Sequence, residues 1–331
     1  MKTLVTGASG FIGARLVEEL LRHGETVVAL CRHSSDTTRL EALGVDVRRG
    51  SLDSTSDLRA AMHGCDHIYH LAAFAATWAR DEAAARRVNT DALRMLFDAA
   101  RAESVSRVVY TSTIMTYGPS RGSVITEDTT RSTAADTLYE RSKIEGEEIV
   151  AQAVRAGLDV VTVHPTRVFG PGKLTEANSG SLMIRGYMRG TWRSMPGNGS
   201  AAGNYVFVDD VVRGCIAAMD RGVRGGHYIL GGTNATYSEF YDSIGRAAGK
   251  KRVLIGIPYG AARMFAAVEV LLGRIGLKHP AITPAWVDVF YDDWICSSAR
   301  AERELGYRPT SLDEALRATV AWLRGPKEAL S

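Results

Sequence analysis

The chain has 331 residues, 45% hydrophobic and 23% charged, enough apolar material for one large domain or two unequal ones. Its 40 basic and 37 acidic residues leave a net charge of +3, too small to point to a nucleic acid or an anionic membrane as partner. Four dispersed cysteines, Cys31, Cys65, Cys215 and Cys296, form no CxxC pair, which argues against a disulfide framework or a metal centre and for a reducing compartment. A strand pattern begins at Lys2 with no secretory leader before it. Charges and Pro258 interrupt the most apolar stretch, Val253 to Leu277, so we expect no membrane span and a cytoplasmic protein.

In chain order, Lys2 to Thr6 reads as a short buried strand running into Gly7-Ala8-Ser9-Gly10-Phe11-Ile12-Gly13 and then an amphipathic helix. A glycine turn between strand and helix suits a dinucleotide. Gly7 permits the tight turn, Gly10 lets the backbone approach a pyrophosphate, and Gly13 lets helix pack on strand, while the free N–H groups of the helix start face the phosphates. Glu25 to Leu30 is the second strand, whose end meets the adenosine ribose. No acid follows until Asp36, and Arg32 offers a planar fork for a 2′-phosphate, so NADP(H) is favoured over NAD(H). Further strands are expected over Val45 to Arg49, His67 to Leu71 and Arg107 to Thr111, with one long helix from near Asp81 to Glu103 that contains Asn89. The alternation implies a Rossmann-type, doubly wound parallel sheet with ligands at the strands' C-terminal ends. Small residues at Ala72-Ala73 leave room for a flat ring, and Thr113 sits at such a strand end. His70 reads as a strand residue rather than a base.

A helix from near Ala134-Ala135-Asp136 to Ala156 carries Tyr139 and Lys143, four residues apart and therefore on one face. A phenol beside an ammonium has a lowered pKa and so becomes a usable proton donor and acceptor. Beyond a sixth strand at Asp159 to His164, the sequence from Gly170 to Gly203 is irregular and suited to shaping a pocket. Asp209-Asp210 are expected to cap a helix, and Thr236-x-x-Glu239 and Ser311-x-x-Glu314 to box two more. Met264, Val268, Leu271, Leu272 and Ile275 form a helical stripe expected to pack as core, with a lid or a membrane-resting surface as alternatives. Trp286, Phe290 and Tyr291 would suit an apolar pocket wall.

Taken together, the chain resembles the extended short-chain dehydrogenase/reductase family, also described as the NAD(P)-dependent epimerase/dehydratase family. The matching stretches are Thr6 to Gly13, His70-Leu71-Ala72-Ala73, Thr111-Ser112-Thr113, Tyr139-x-x-x-Lys143, Pro165-Thr166-Arg167-Val168-Phe169-Gly170-Pro171-Gly172, Val206-Phe207-Val208-Asp209-Asp210 and Glu304-Leu305-Gly306-Tyr307-x-Pro309. The resemblance implies a cofactor-binding core over 1–165 and a smaller, mostly helical substrate-binding region over 166–331, some of whose segments return to the core. It implies that Tyr139 is the general acid/base, Lys143 lowers its pKa and binds the nicotinamide ribose, and Thr113 holds the reacting oxygen. Gly7, Ser9, Gly10, Phe11, Ile12, Gly13, Arg32, Ser51, Leu52, Leu71, Ala72, Ala73, Pro165 and Val168 would complete the cofactor site, with no metal. It also suggests a homodimer through helices around Asp91 and Glu147. Two departures stand out: Ser51 replaces the family's usual Asp near adenine, and the Gly-Thr pair after Asn89 is missing.

Ile114-Met115 follow Thr113 where dehydratases of the family have Asp-Glu, and Gly203-Asn204 stand where sugar-nucleotide epimerases tend to have an Arg, which leaves only Arg189 or Arg193 as substitutes. The look is closest to the dihydroflavonol-reductase and 3β-hydroxysteroid-dehydrogenase branch. The expected activity is therefore interconversion of a carbonyl and a secondary alcohol on a mainly apolar small molecule. An NAD-dependent sugar-nucleotide epimerase is the alternative, favoured by Tyr117-Gly118, and a non-catalytic dinucleotide sensor is the third reading.

Overall fold

The computed structural model describes residues 1–74, 78–79, 81–175 and 178–325. Its centre is a seven-stranded sheet built from β1 (Lys2–Thr6), β2 (Thr26–Cys31), β3 (Asp46–Arg49), β4 (His67–His70), β5 (Arg107–Thr111) and β6 (Val160–Pro165), joined later by a strand from the second half. The second half contributes β7 (Arg167–Phe169), β8 (Ser194–Pro196), β9 (Ala202–Phe207), β10 (His227–Leu230), β11 (Thr233–Thr236) and β12 (Ile255–Ile257). The sheet order is β10-β6-β5-β4-β1-β2-β3, every pairing parallel. Strand order reverses at β1 and β4, and a crevice opens at such a switch point beyond the strands' C-terminal ends.

Alternation along each strand feeds two apolar layers. Leu4, Val28, Ile68 and Val108 pack with Leu58, Met62, Leu96, Phe97 and Ile149 on one face. Val5, Ala29, Tyr69 and Val109 pack with Leu16, Val17, Leu20, Val211 and Cys215 on the other. The helix Val208–Arg221 lies against the helix Phe11–Arg22, so the second half closes a layer of the first. A three-stranded sheet, β11-β9-β7, and a two-stranded one, β12-β8, carry the remaining helices.

Several local expectations need correction. The long helix over Asp81 to Glu103 is divided: Glu82–Arg86, a π-helical turn at Arg87–Asp91, and Ala92–Ala102. The wide turn aims Asn89 inward, where its side chain accepts from Phe74 N (2.6 Å) and donates to Ser142 Oγ (2.8 Å). The helix bearing Tyr139 begins at Leu138 rather than near Ala134, because Thr137 and Glu140 form a reciprocal capping box. Asp209 and Asp210 do not cap with their side chains. Asp209 pairs with Arg15 (2.7 Å), and the fully buried Asp210 accepts from Thr310 N (2.8 Å) and Thr310 Oγ1 (2.7 Å), tying the C-terminal segment to the core.

The apolar stripe is not core. On the helix Tyr259–Arg274 and the turn after it, Met264 is 69% exposed and Ile275 62%, with Val268 and Leu271 also outward. The residues that this helix buries are Ala266, Glu269 and Gly273. Periodicity marked an apolar face correctly, but nothing in the sequence says whether a face is covered.

Candidate active site

The strand ends converge on a cavity of about 820 Å³ at the β1/β4 switch point. Its floor is the turn between β1 and the helix Phe11–Arg22. Gly7 has φ +75°, and a Cβ there would lie 2.7 Å from Ala72 N. A Cβ at Gly13 would collide with the Gly7 carbonyl. Gly10 is the N-cap with no side-chain cap, so the first helical N–H groups remain free toward the cavity. These three glycines, Ser9, Phe11, Ile12, Leu71, Ala72 and Ala73 all line it.

At the adenosine end, Arg32, Ser51 and Leu52 line the wall. Arg32 is exposed, and the backbone around it is braced by Arg49, whose Nη1 donates to Ser35 O (2.8 Å) and Arg32 O (3.3 Å). Ser51 uses its hydroxyl on Asp53, and Asp53 also lines the cavity. A carboxylate thus stands at this wall two residues after position 51.

At the opposite end, Thr113, Tyr139 and Lys143 meet with Pro165 and Val168. Thr113 follows β5 and caps a short 3-10 turn, its side chain accepting from Met115 N (3.4 Å), and it lines the cavity with Tyr139. Burial pushes the Tyr139 phenol up to about 12, and the nearby Thr113 hydroxyl works against that rise. The expectation that Lys143 lowers the phenol is therefore corrected. The ammonium donates to Thr111 O (2.7 Å) and lies 4.8 Å above the Tyr110 ring, while burial lowers it to about 8. Spacing placed both groups on one helix face, but the end of a long lysine side chain is set by its nearest acceptor. His70 is buried, bonded through Nδ1 to Thr6 Oγ1 (2.8 Å), and held neutral with its pKa down at about 3 by burial.

Behind these groups, Glu147 follows Lys143 by one turn. Its carboxylate accepts from Ser112 and lies 3.5 Å from His164 Nδ1. His164 Nε2 and His227 Nδ1 are 3.0 Å apart. Glu147, named from the sequence near a dimer face, therefore points inward, and burial raises its pKa.

The remaining walls are aromatic: Trp286, Phe290 and Trp294 line the cavity, whereas Tyr291 turns away to donate to Ile257 O. Ile114 and Met115 line it too. Arg193 spends Nε on Gly190 O, and among the described residues neither it nor Arg189 lines the cavity. The cations that do are Arg32, Lys143, Arg87 and Arg167; Arg87 and Arg167 stood out by no separate signal, although Arg167 lies inside a quoted motif.

Residues 3–231 match the model of the NAD dependent epimerase/dehydratase family. The chain is 33% identical over 332 residues to sterol demethylase protein B of Methylococcus capsulatus, covering 98% of each protein. It is 30% identical to a putative dihydroflavonol 4-reductase of Synechocystis, covering 97% of this chain and 94% of that one. The crystal structure of a UDP-glucose 4-epimerase from Thermotoga maritima superimposes with a TM-score of 0.80 at 23% identity, covering 98% of this chain and 99% of that one, a likeness of fold alone.

Proposed function

The chain belongs to the NAD-dependent epimerase/dehydratase family, the extended short-chain dehydrogenases/reductases, and is an NAD(P)-dependent oxidoreductase of that type; on that footing we propose that it interconverts a carbonyl and a secondary alcohol on a mainly apolar small molecule. The observation that carries this reading is that Thr113, Tyr139 and Lys143 line one cavity with the glycine turn and an aromatic wall of Trp286, Phe290 and Trp294. The close approach at Gly7 and Gly13 and the free N–H groups after Gly10 suit a dinucleotide diphosphate. A nicotinamide seated beside Val168 and Pro165 supplies or accepts the hydride. In reduction, Thr113 orients the substrate oxygen and Tyr139 gives its phenolic proton to it. In oxidation the same phenolate takes the proton back. Lys143 binds the nicotinamide ribose.

A panel of ketones with NADPH tests the reading: net NADPH oxidation supports it, whereas isomerisation of a UDP-sugar without net cofactor change would replace it with epimerisation. NADP(H) is the cofactor we assign, from Arg32 on the ribose wall. Arg32→Asp should weaken NADPH about tenfold and spare NADH, and equal NADPH affinity in mutant and wild type would remove the assignment. A homodimer through the helices around Asp91 and Glu147 and a cytoplasmic location complete the proposal, with the dimer open to light scattering. Among the described residues no helix is long and apolar enough to cross a membrane.

The charge on Lys143 gives a pH prediction. Burial lowers its pKa to about 8 and the Glu147 carboxylate raises it, so the ammonium is present below that value and lost above it. The groups facing it are Tyr110, the Thr111 carbonyl, His70, Glu147 and His164. Glu147→Gln removes the stabilising charge, so NADPH affinity should begin its alkaline decline about one pH unit lower. Superimposable binding profiles for the two proteins would show that Glu147 does not set this charge.

A further inference from the structure

Arg167 opens β7 and lines the cavity that also holds Tyr139 and Thr113. Its guanidinium carbon lies 5.3 Å from the Tyr205 ring centre, 5.1 Å from Tyr237 and 5.5 Å from Phe290. Nη1 donates to Tyr205 Oη (3.3 Å), a neutral phenol, and Tyr237 faces the guanidinium with its ring. Among the described residues no carboxylate pairs with it within 4.0 Å, whereas Arg131, for example, pairs with the buried Glu140. A guanidinium has five donors, and one phenol acceptor leaves the rest of the fork open. The rings fix its plane, and the absence of a side chain at Gly203, whose Cβ would come 3.6 Å from Nη1, leaves that flank clear.

Asn204, the adjacent lining amide, is committed: its Oδ1 accepts from Thr166 Oγ1 (2.8 Å) and Gly232 N (2.7 Å), and its Nδ2 donates to Asn234 Oδ1 (2.8 Å). We infer that the substrate carries an acidic group, a carboxylate on an apolar skeleton, and that the fixed fork of Arg167 receives it in bidentate fashion while the aromatic walls hold the skeleton. The inference rests on reading the cavity as a carbonyl reductase's site and adds the charge of its substrate.

Trp286 and Trp294 in the wall allow a test by intrinsic fluorescence, independent of turnover. The probes are a 3-oxosteroid carboxylic acid, its methyl ester and UDP-glucose, each titrated into the NADP⁺-loaded protein. We expect the acid to bind about ten- to hundredfold more tightly than the ester. Arg167→Gln should erase that preference while leaving ester binding and NADPH affinity unchanged, and Arg167→Lys should restore part of it. Equal binding of acid and ester, no binding of either, or a preference that survives in Arg167→Gln overturns the inference. Tighter binding of UDP-glucose than of the acid overturns it in favour of a diphosphate. Tyr139→Phe separates the two readings: it should keep the acid preference even as turnover is lost, so failure of the chemistry and failure of the charge recognition are read on different axes.

Discussion

Tyr139→Phe is expected to lower kcat on any ketone substrate by about 10²- to 10⁴-fold while leaving NADPH affinity within about twofold of wild type. The substitution deletes one oxygen, the phenolic hydroxyl of a residue that lines the cavity with Thr113 and Lys143. With burial holding the phenol near 12, the group stays protonated across neutral pH, which is the form needed to deliver a proton to an oxygen that gains charge as hydride arrives. The aromatic ring remains, so the cavity wall and the fold should be kept. Steady-state kinetics together with a cofactor titration by fluorescence measure both halves, and full turnover in the mutant would remove Tyr139 from the reaction.

Gly13→Ala should show the opposite pattern, with cofactor affinity and stability lost together. The added Cβ would collide with the Gly7 carbonyl oxygen and crowd the Gly7 carbonyl carbon at 2.8 Å, both backbone atoms that no rotamer change can clear. Relief requires the helix Phe11–Arg22 to move off β1, which opens the turn that would carry the diphosphate and loosens Leu16, Val17 and Leu20 in the apolar layer. Overpacking of this kind costs about 1–3 kcal/mol. We therefore expect a thermal midpoint several degrees lower and loss of measurable NADPH binding. A midpoint and affinity equal to wild type would mean that the helix has slack which the packed layer does not suggest.

The two substitutions differ because they act at different levels. Gly13 works through the backbone path, which local sequence dictates, whereas Tyr139 works through a single atom whose surroundings come from strands 25 to 30 residues away in the chain. That difference runs through the molecule. The turn from Gly7 to Gly13 and the helix face shared by Tyr139 and Lys143 follow from the order of residue types over a few positions, and so do the alternating strands and helices that impose a parallel sheet. Gly7 to Gly13, Arg32, Leu71 to Ala73 and Pro165, named for the cofactor wall, likewise sit at a strand end or in the first turn after one.

What lay beyond reach depended on partners distant in the chain. Asp210 looked like a helix cap, yet it bonds Thr310, because a buried carboxylate takes the donors that tertiary packing brings and not the nearest N–H groups. Lys143 was expected to face the phenol, but its flexible stem lets the ammonium settle on the Thr111 carbonyl. The stripe from Met264 to Ile275 was legible as apolar and illegible as exposed. By itself, the sequence determined the fold class, the cofactor turn and the Tyr139–Lys143 pair, since turn chemistry and the periods of helix and strand act over a few residues. Only the tertiary structure decided the setting of those groups: the inward turn of Glu147 onto Ser112 and His164, and Arg167 held among three rings without an acid. Both are set by segments that sequence spacing cannot bring together, because burial and pairing depend on which surfaces pack and not on the residues beside them in the chain.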